Sequence, residues 1–201
     1  YKEIEPTDTP RPNTAYGKSK LEAEQLLPSS FPYIILRPTG VYGPREKDYF
    51  LMAKSIKGHS DFAVGYKQQD ITFVYVKDVV QATFLALDHG KIGSAYFLSD
   101  GKVYQSTTFS DLIHEELGRP WWIRITAPIW VLRFVTFFGD LIGQITGKIS
   151  ALNNDKYQIL KQRNWRCNIR PAIEELGYKP EYDLQRGVKE TIEWYKKEGW
   201  L

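Results

Sequence analysis

The run Tyr33-Ile34-Ile35-Leu36 is apolar, β-branched at its centre and free of alternation. Such a run has no polar face to turn to water, so it suits a strand buried on both sides, as in a parallel sheet covered by helices. Short apolar runs recur at Phe62-Ala63-Val64, Thr72-Phe73-Val74-Tyr75-Val76 and Ala95-Tyr96-Phe97-Leu98. Helical segments stand between them. The first runs from about Thr14 to Leu27, with Asn13 or Thr14 as N-cap and Pro28 as the stop. A second, Tyr49 to Lys57, is closed by Gly58, and a third is capped by Asp78 and ended by Gly90. In the third, Val79, Ala82, Leu85 and Ala86 follow helical spacing. Arg37 to Pro44 reads as a loop dense in glycine and proline. Short buried strands alternating with helices place the chain in the α/β class.

Beyond a turn at Ser99-Asp100-Gly101, a helix begins at Thr107 or Thr108 and ends at Gly118, and Trp121 to Lys148 is apolar and aromatic. Pro171 marks a helix start and Gly177 its end. The last helix, about Leu184 to Lys197, carries Val188, Ile192 and Tyr195 on its buried side. Against 24 acidic residues stand 27 Lys and Arg, a formal excess of +3 too small and too scattered to mark a nucleic-acid partner. The single cysteine, Cys167, excludes an internal disulfide and a multi-cysteine metal site. It fits a reducing compartment, so a cytoplasmic location is expected. His59, His89 and His114 share no metal-ligand spacing, and no metal site is expected. The opening segment is polar, carries Pro6, Pro10 and Pro12, and has no apolar core of a signal peptide. A chain that starts at Tyr1 in such an extended segment reads as cut from something longer.

The sharpest chemical feature is Tyr16-Gly17-Lys18-Ser19-Lys20. Positions four apart share a helix face, so the Tyr16 hydroxyl and the Lys20 ammonium can serve one site. A free tyrosine is a poor base at neutral pH, and a neighbouring cation favours its phenolate form. A tyrosine tuned in this way can pass a proton to or from a carbonyl or alcohol oxygen. Gly17 and Ser19 keep the surface beside it low enough for a flat ring to approach. Taken alone, the pair also fits an ordinary surface tyrosine with a lysine one turn on.

The surrounding segments decide between these. Asn13 to Glu24, Ile35 to Arg45 with its Arg37-Pro38-Thr39-Gly40-Val41-Tyr42-Gly43-Pro44, Phe73 to Val80, Leu176-Gly177-Tyr178-Lys179-Pro180 and Glu193-Trp194-Tyr195 come in order at fitting separations. Together they resemble the extended short-chain dehydrogenase/reductase superfamily, the NAD(P)-dependent epimerase/dehydratase-type proteins. The resemblance implies an enzyme with NAD or NADP as cofactor, a small-molecule substrate and a homodimer when intact. It implies Tyr16 as catalytic acid/base and Lys20 as the residue on the nicotinamide ribose. Pro38 and Thr39 would belong to the nicotinamide pocket, and Val41, Tyr42 and Gly43 would face the substrate. Asp78 is expected as a helix cap, without a catalytic role.

The chain also departs from that family. None of Thr7, Thr9 or Thr14 fits the place of the family's catalytic Ser or Thr, on a strand before its Tyr. No Gly-rich turn of G-x-x-G-x-x-G type is present, and Gly139, Gly143 and Gly147, spaced by four, cannot replace it. The expected architecture is therefore the C-terminal part of a Rossmann-type protein whose Gly-rich first half of the sheet is missing. Residues 1–98 would hold the catalytic helix and last strands, and 99–201 mostly the substrate-binding region. Such a chain alone is expected neither to bind NAD with useful affinity nor to turn over.

Two features bear on the substrate. Nucleotide-sugar members commonly carry an Arg two residues before the aromatic that opens Phe73-Val74-Tyr75-Val76; here Ile71 stands there. An apolar side chain cannot offset the desolvation of a diphosphate as Arg can, although Arg37, Arg45, Arg166 or Arg170 remain as substitutes. Trp121, Trp122, Trp130, Phe134, Phe137 and Phe138 fall where the family places substrate-covering structure. The chain in this respect resembles the hydroxysteroid-dehydrogenase-like and dihydroflavonol-reductase-like branches, which act on apolar alcohols and ketones. An NAD(P)-dependent oxidoreductase of such substrates is the preferred function. A nucleotide-sugar epimerase or dehydratase is the second choice, and a non-catalytic binding module the third. Arg124, Arg133, Asp140 and Lys148 leave no uncharged run of about 18 residues, so a membrane-spanning helix is excluded. For this stretch, a core helix packed on its own domain is favoured over contact with a membrane surface. Gly139, Gly143 and Gly147 near one face would admit a neighbouring backbone.

Overall fold

The structure, a computed structural model, describes residues 2–28, 30–146 and 153–201, and within 140–146 the backbone alone. Among the described residues six strands form three two-stranded pairs, all parallel. In the first pair, β1 (Ile35–Pro38) aligns with β5 (Ala95–Leu98), Ile35 opposite Ala95 and Pro38 opposite Leu98. The second sets β2 (Gly40–Tyr42) beside β4 (Phe73–Tyr75), and the third β3 (Ser60–Val64) beside β6 (Ile123–Ala127). The helices are α1 (Ala15–Gln25), α2 (Lys47–Lys57), α3 (Val76–His89), α4 (Thr108–Glu116), α5 (Ile129–Thr146), α6 (Asn154–Leu160), α7 (Arg170–Leu176) and α8 (Leu184–Lys197).

The α/β class follows from this order, with several corrections of detail. β1 begins two residues later than its apolar run suggested, and its residues are half-buried or exposed instead of buried on both faces. Its start is set by register against β5, and β5 is its one partner among the described residues. The glycine- and proline-rich segment after it contains a strand, β2, because Val41 and Tyr42 align with Val74 and Tyr75. β6 lies within the stretch read as a core helix, and α6 where no element was expected.

Asp78 does not cap α3. The N-cap is Tyr75, without a side-chain cap bond, and Asp78 sits inside the first turn. Its Oδ1 accepts from the Glu181 amide at 3.0 Å and its Oδ2 from the Tyr182 amide at 3.1 Å, so the carboxylate ties the approach to α8 onto α3.

Two clusters hold the chain together. Tyr42, Phe73, Tyr75 and Phe109 pack with Leu184, Val188, Ile192 and Tyr195 of α8. Val74, Ala82, Tyr96 and Leu98 pack with Ala172, Leu176 and Tyr178 on the other side of β4. α8 reads directly from its sequence, since its apolar positions face the first cluster and Asp183 caps it, accepting from the Arg186 amide at 3.0 Å. That amide bond, with Lys102 nearby, holds the Asp183 carboxyl below the ordinary carboxylate range against the opposing effect of burial. Asp183→Ala should therefore cost about 1 kcal/mol in urea unfolding. The contribution is present above the ordinary aspartate pKa and lost as pH falls through the lowered folded value. A cost independent of pH across the acid range would contradict this. Gly187 is required by close approach, because a Cβ there would come within 2.1 Å of the Tyr42 hydroxyl.

α5 meets the expectation of a core helix on one face only. Leu132 and Thr136 are buried, whereas Trp130, Phe134, Phe137 and Phe138 are exposed. Among the described residues no helix is long and apolar enough to cross a membrane. Gly147 and Lys148 lie outside the described residues, as does any packing at Gly147.

Candidate active site

α1 is built from its ends. Thr14, in extended conformation, caps it by accepting from the Gly17 amide at 2.9 Å, and the helix stops before Pro28. None of its residues is buried within this chain, and Gly17, Leu21 and Glu24 are half-buried. Glu24 near its C-terminal end takes a two-pronged bond from Arg37 of β1, with Nε at 3.0 Å from Oε1. This pair fastens the helix to the strand.

On that helix Tyr16 is 67% exposed, and the Lys20 Nζ lies 5.4 Å from the centre of its ring. Both residues line an open cleft of about 610 Å³. One wall is α1, contributing Tyr16, Gly17, Lys20, Leu21 and Glu24. The opposite side is formed by the extended segment around Pro10 and Pro12, by Gln158, Ile159 and Gln162, and by Trp165. Arg37 and Phe97, at the carboxyl ends of β1 and β5, close the base. The carboxyl ends of parallel strands are where α/β folds bind ligands.

The other expected site residues are distributed differently. Pro38 and Thr39 follow Arg37 at the end of β1; Pro38 is exposed, and the Thr39 hydroxyl donates to the Leu98 carbonyl at 3.1 Å. Neither lines the cleft itself. Val41, Tyr42 and Gly43 are not brought to it either. Val41 packs against the second core cluster, and Tyr42, 1% exposed, lies in the first and donates to the Asp183 carbonyl at 3.2 Å. Burial, and next the Asp100 carboxylate, push the Tyr42 hydroxyl far above the ordinary tyrosine range, so it stays a donor. A Cβ on Gly43 would meet Val76 at 2.6 Å. Gly17 has a different use from the one expected: its bare Cα makes room for Thr14 and Pro12, which a Cβ would meet at 2.9 and 3.0 Å. Ser19 donates to the Tyr16 carbonyl.

Sequence reasoning missed Asp155. Its Oδ2 accepts from the Ala15 amide at 2.9 Å and the Tyr16 amide at 3.4 Å. No local signal marks it, since its partners lie 140 and 139 residues away. Ile71, in the place of the arginine common to nucleotide-sugar members, exchanges backbone hydrogen bonds with Tyr104 and packs against the first core cluster. Of the candidate arginines, Arg37 is held by Glu24 and Arg166 by Glu3.

Parallel strand pairs joined through helices define a Rossmann-like α/β fold. The chain resembles the NAD dependent epimerase/dehydratase family, whose model matches residues 1–98. It is 30% identical to UDP-glucose 4-epimerase of Vibrio cholerae over 92% of this chain and 55% of that protein. To 3beta-hydroxysteroid-dehydrogenase/decarboxylase isoform 1 of Arabidopsis thaliana it is 28% identical, over 92% of this chain and 46% of that one. The crystal structure of dTDP-glucose 4,6-dehydratase from Bacillus anthracis in complex with NAD superposes with a TM-score of 0.73 at 19% identity, covering 100% of this chain and 58% of the other. The chain thus spans about half the length of the curated relatives it matches.

Proposed function

We propose that this chain supplies the proton-transfer and substrate side of an NAD(P)-dependent oxidoreductase acting at a carbon that bears oxygen. The observation that carries this is the Tyr16–Lys20 pair, one helical turn apart at the rim of an open cleft. The residues present fit the nicotinamide end of the cofactor: Tyr16 and Lys20 are both exposed, with a hydroxyl and an ammonium to offer to ribose. They do not fit a pyrophosphate, because the amino end of α1 is already taken by Thr14 and the Asp155 carboxylate. When bound, the nicotinamide supplies or takes the hydride. The Tyr16 hydroxyl gives its proton to the carbonyl oxygen during reduction and recovers it during oxidation. Lys20 holds the ribose and keeps positive charge beside Tyr16. Pro38, the last residue of β1, and Thr39 just after it would flank the nicotinamide.

An apolar alcohol or ketone is the preferred substrate. Ile4, Pro10, Pro12, Leu21, Ile159 and Trp165 give the cleft apolar surface, and of its two arginines, Arg11 and Arg37, Arg37 is paired with Glu24. The second reading, a nucleotide-sugar epimerase or dehydratase, draws on the 30% identical UDP-glucose 4-epimerase. Assaying the intact protein that carries this chain against apolar ketones and UDP- or dTDP-sugars separates the two. Reduction of a ketone with consumption of NAD(P)H supports the first, and interconversion of a nucleotide sugar with NAD retained overturns it. By calorimetry the 201-residue chain alone should bind NAD no tighter than about 1 mM, near −4 kcal/mol. A micromolar dissociation constant would contradict the assignment of pyrophosphate binding to residues outside it.

A further inference from the structure

We propose that Asp155 is a positioning residue: it clasps α6, as a strap along the cleft, onto the amino end of the helix that carries Tyr16 and Lys20. The inference rests on the acid/base reading of Tyr16. α1 buries no residue within this chain, and bonds at its two ends fasten it to the other elements described. At the carboxyl end the bond is Glu24 with Arg37. At the amino end, the first helical amides have no partner inside the helix and must find one outside. Thr14 takes the Gly17 amide, and Asp155 takes those of Ala15 and Tyr16, the residue proposed to move the proton. A carboxylate in this place also complements the positive end of the helix dipole.

α6 is tied at several points. Asn153 caps it through the Lys156 amide at 3.0 Å, and the Lys156 Nζ reaches the Asp48 carboxylate on α2 at 2.6 Å. The Gln69 side chain donates to the Leu160 and Gln162 carbonyls at 2.8 and 2.6 Å, holding the carboxyl end. Between these anchors Gln158 and Ile159 face the cleft. One helix therefore both lines the substrate side and fixes the end of the Tyr16 helix. Swinging it away from the cleft breaks the Asp155 bonds and frees the amino end of α1. Asp155 in this way makes the position of Tyr16 depend on that of α6.

Hydrogen exchange on the 201-residue chain, comparing Asp155→Ala and Asp155→Asn with the parent, tests the clasp. In Asp155→Ala, peptides covering 13–25 and 153–162 should exchange about ten-fold faster while those of α8 stay unchanged. Asp155→Asn keeps a carbonyl oxygen at the same place and should recover most of the protection. In the intact enzyme, Asp155→Ala should lower kcat about ten-fold with a smaller change in KM, again recovered by Asn. Unchanged exchange in 13–25 overturns the proposal. So does an unchanged kcat in Asp155→Ala where Tyr16→Phe abolishes turnover. If Tyr16→Phe itself retains turnover, the acid/base reading fails and the positioning role with it, whatever the exchange shows.

Discussion

Tyr16→Phe in the intact protein should lower turnover by about 10²- to 10⁴-fold, the usual contribution of a positioned proton donor. The substitution removes one hydroxyl and keeps the ring under Lys20, whose Nζ lies 5.4 Å from its centre. With the side chain 67% exposed and no hydrogen bond of its hydroxyl needed to hold α1, the fold should not change. The thermal midpoint and far-ultraviolet spectrum should therefore match the parent while kcat falls. A variant that keeps its full kcat removes Tyr16 from the chemistry. One that loses both kcat and stability assigns it a structural role instead.

Asp78→Ala should lower stability by about 2–4 kcal/mol. The side chain is 2% exposed and each carboxylate oxygen serves one backbone amide, Glu181 and Tyr182. Removing it strands those donors at the junction of α3 with the segment that leads into α8. Burial raises the Asp78 carboxyl above its ordinary value while the two amides pull it down, so some desolvation cost is recovered when the charge is deleted. The net of these opposing effects keeps the expected loss below that of a fully broken ion pair. Asp78→Asn retains one acceptor but sets an amide donor against the other N–H, so it should fall between parent and alanine. Because the folded value is raised, the charge costs stability above it, and the parent should lose stability as pH rises from the ordinary aspartate pKa through the raised one. Urea titrations of the three proteins at several pH values check both statements. Equal midpoints for parent and Asp78→Ala would contradict them.

The elements legible in the sequence are those whose signals are local. α8 carries its cap at Asp183 and its apolar stripe in one stretch, and β5 and α7 are bracketed by their own turn residues. What escaped depends on partners distant in the chain. β6 is interrupted by Arg124, which reads as a break in an apolar stretch. In the fold Arg124 turns inward to the buried Asp61 carboxylate at 2.6 Å and stacks over Trp122. Asp78 fits the local pattern of a helix cap, yet its acceptors are spent on a segment more than 100 residues away. The Tyr16–Lys20 pair could be read from spacing because both residues sit on one helix. Asp155 could not, since nothing near it in sequence announces the amides it holds. At Val41–Gly43, read in the sequence as a substrate face, the core takes the Tyr42 ring.

The most direct measurement is isotope transfer in the intact protein, from NAD(P)H deuterated at the reactive carbon to an apolar ketone. The proposed function predicts deuterium on the carbinol carbon of the product with the parent protein and its near-complete loss with Tyr16→Phe. Undiminished transfer in Tyr16→Phe, or a nucleotide sugar interconverted with no net cofactor consumption and no transfer to ketones, would contradict it.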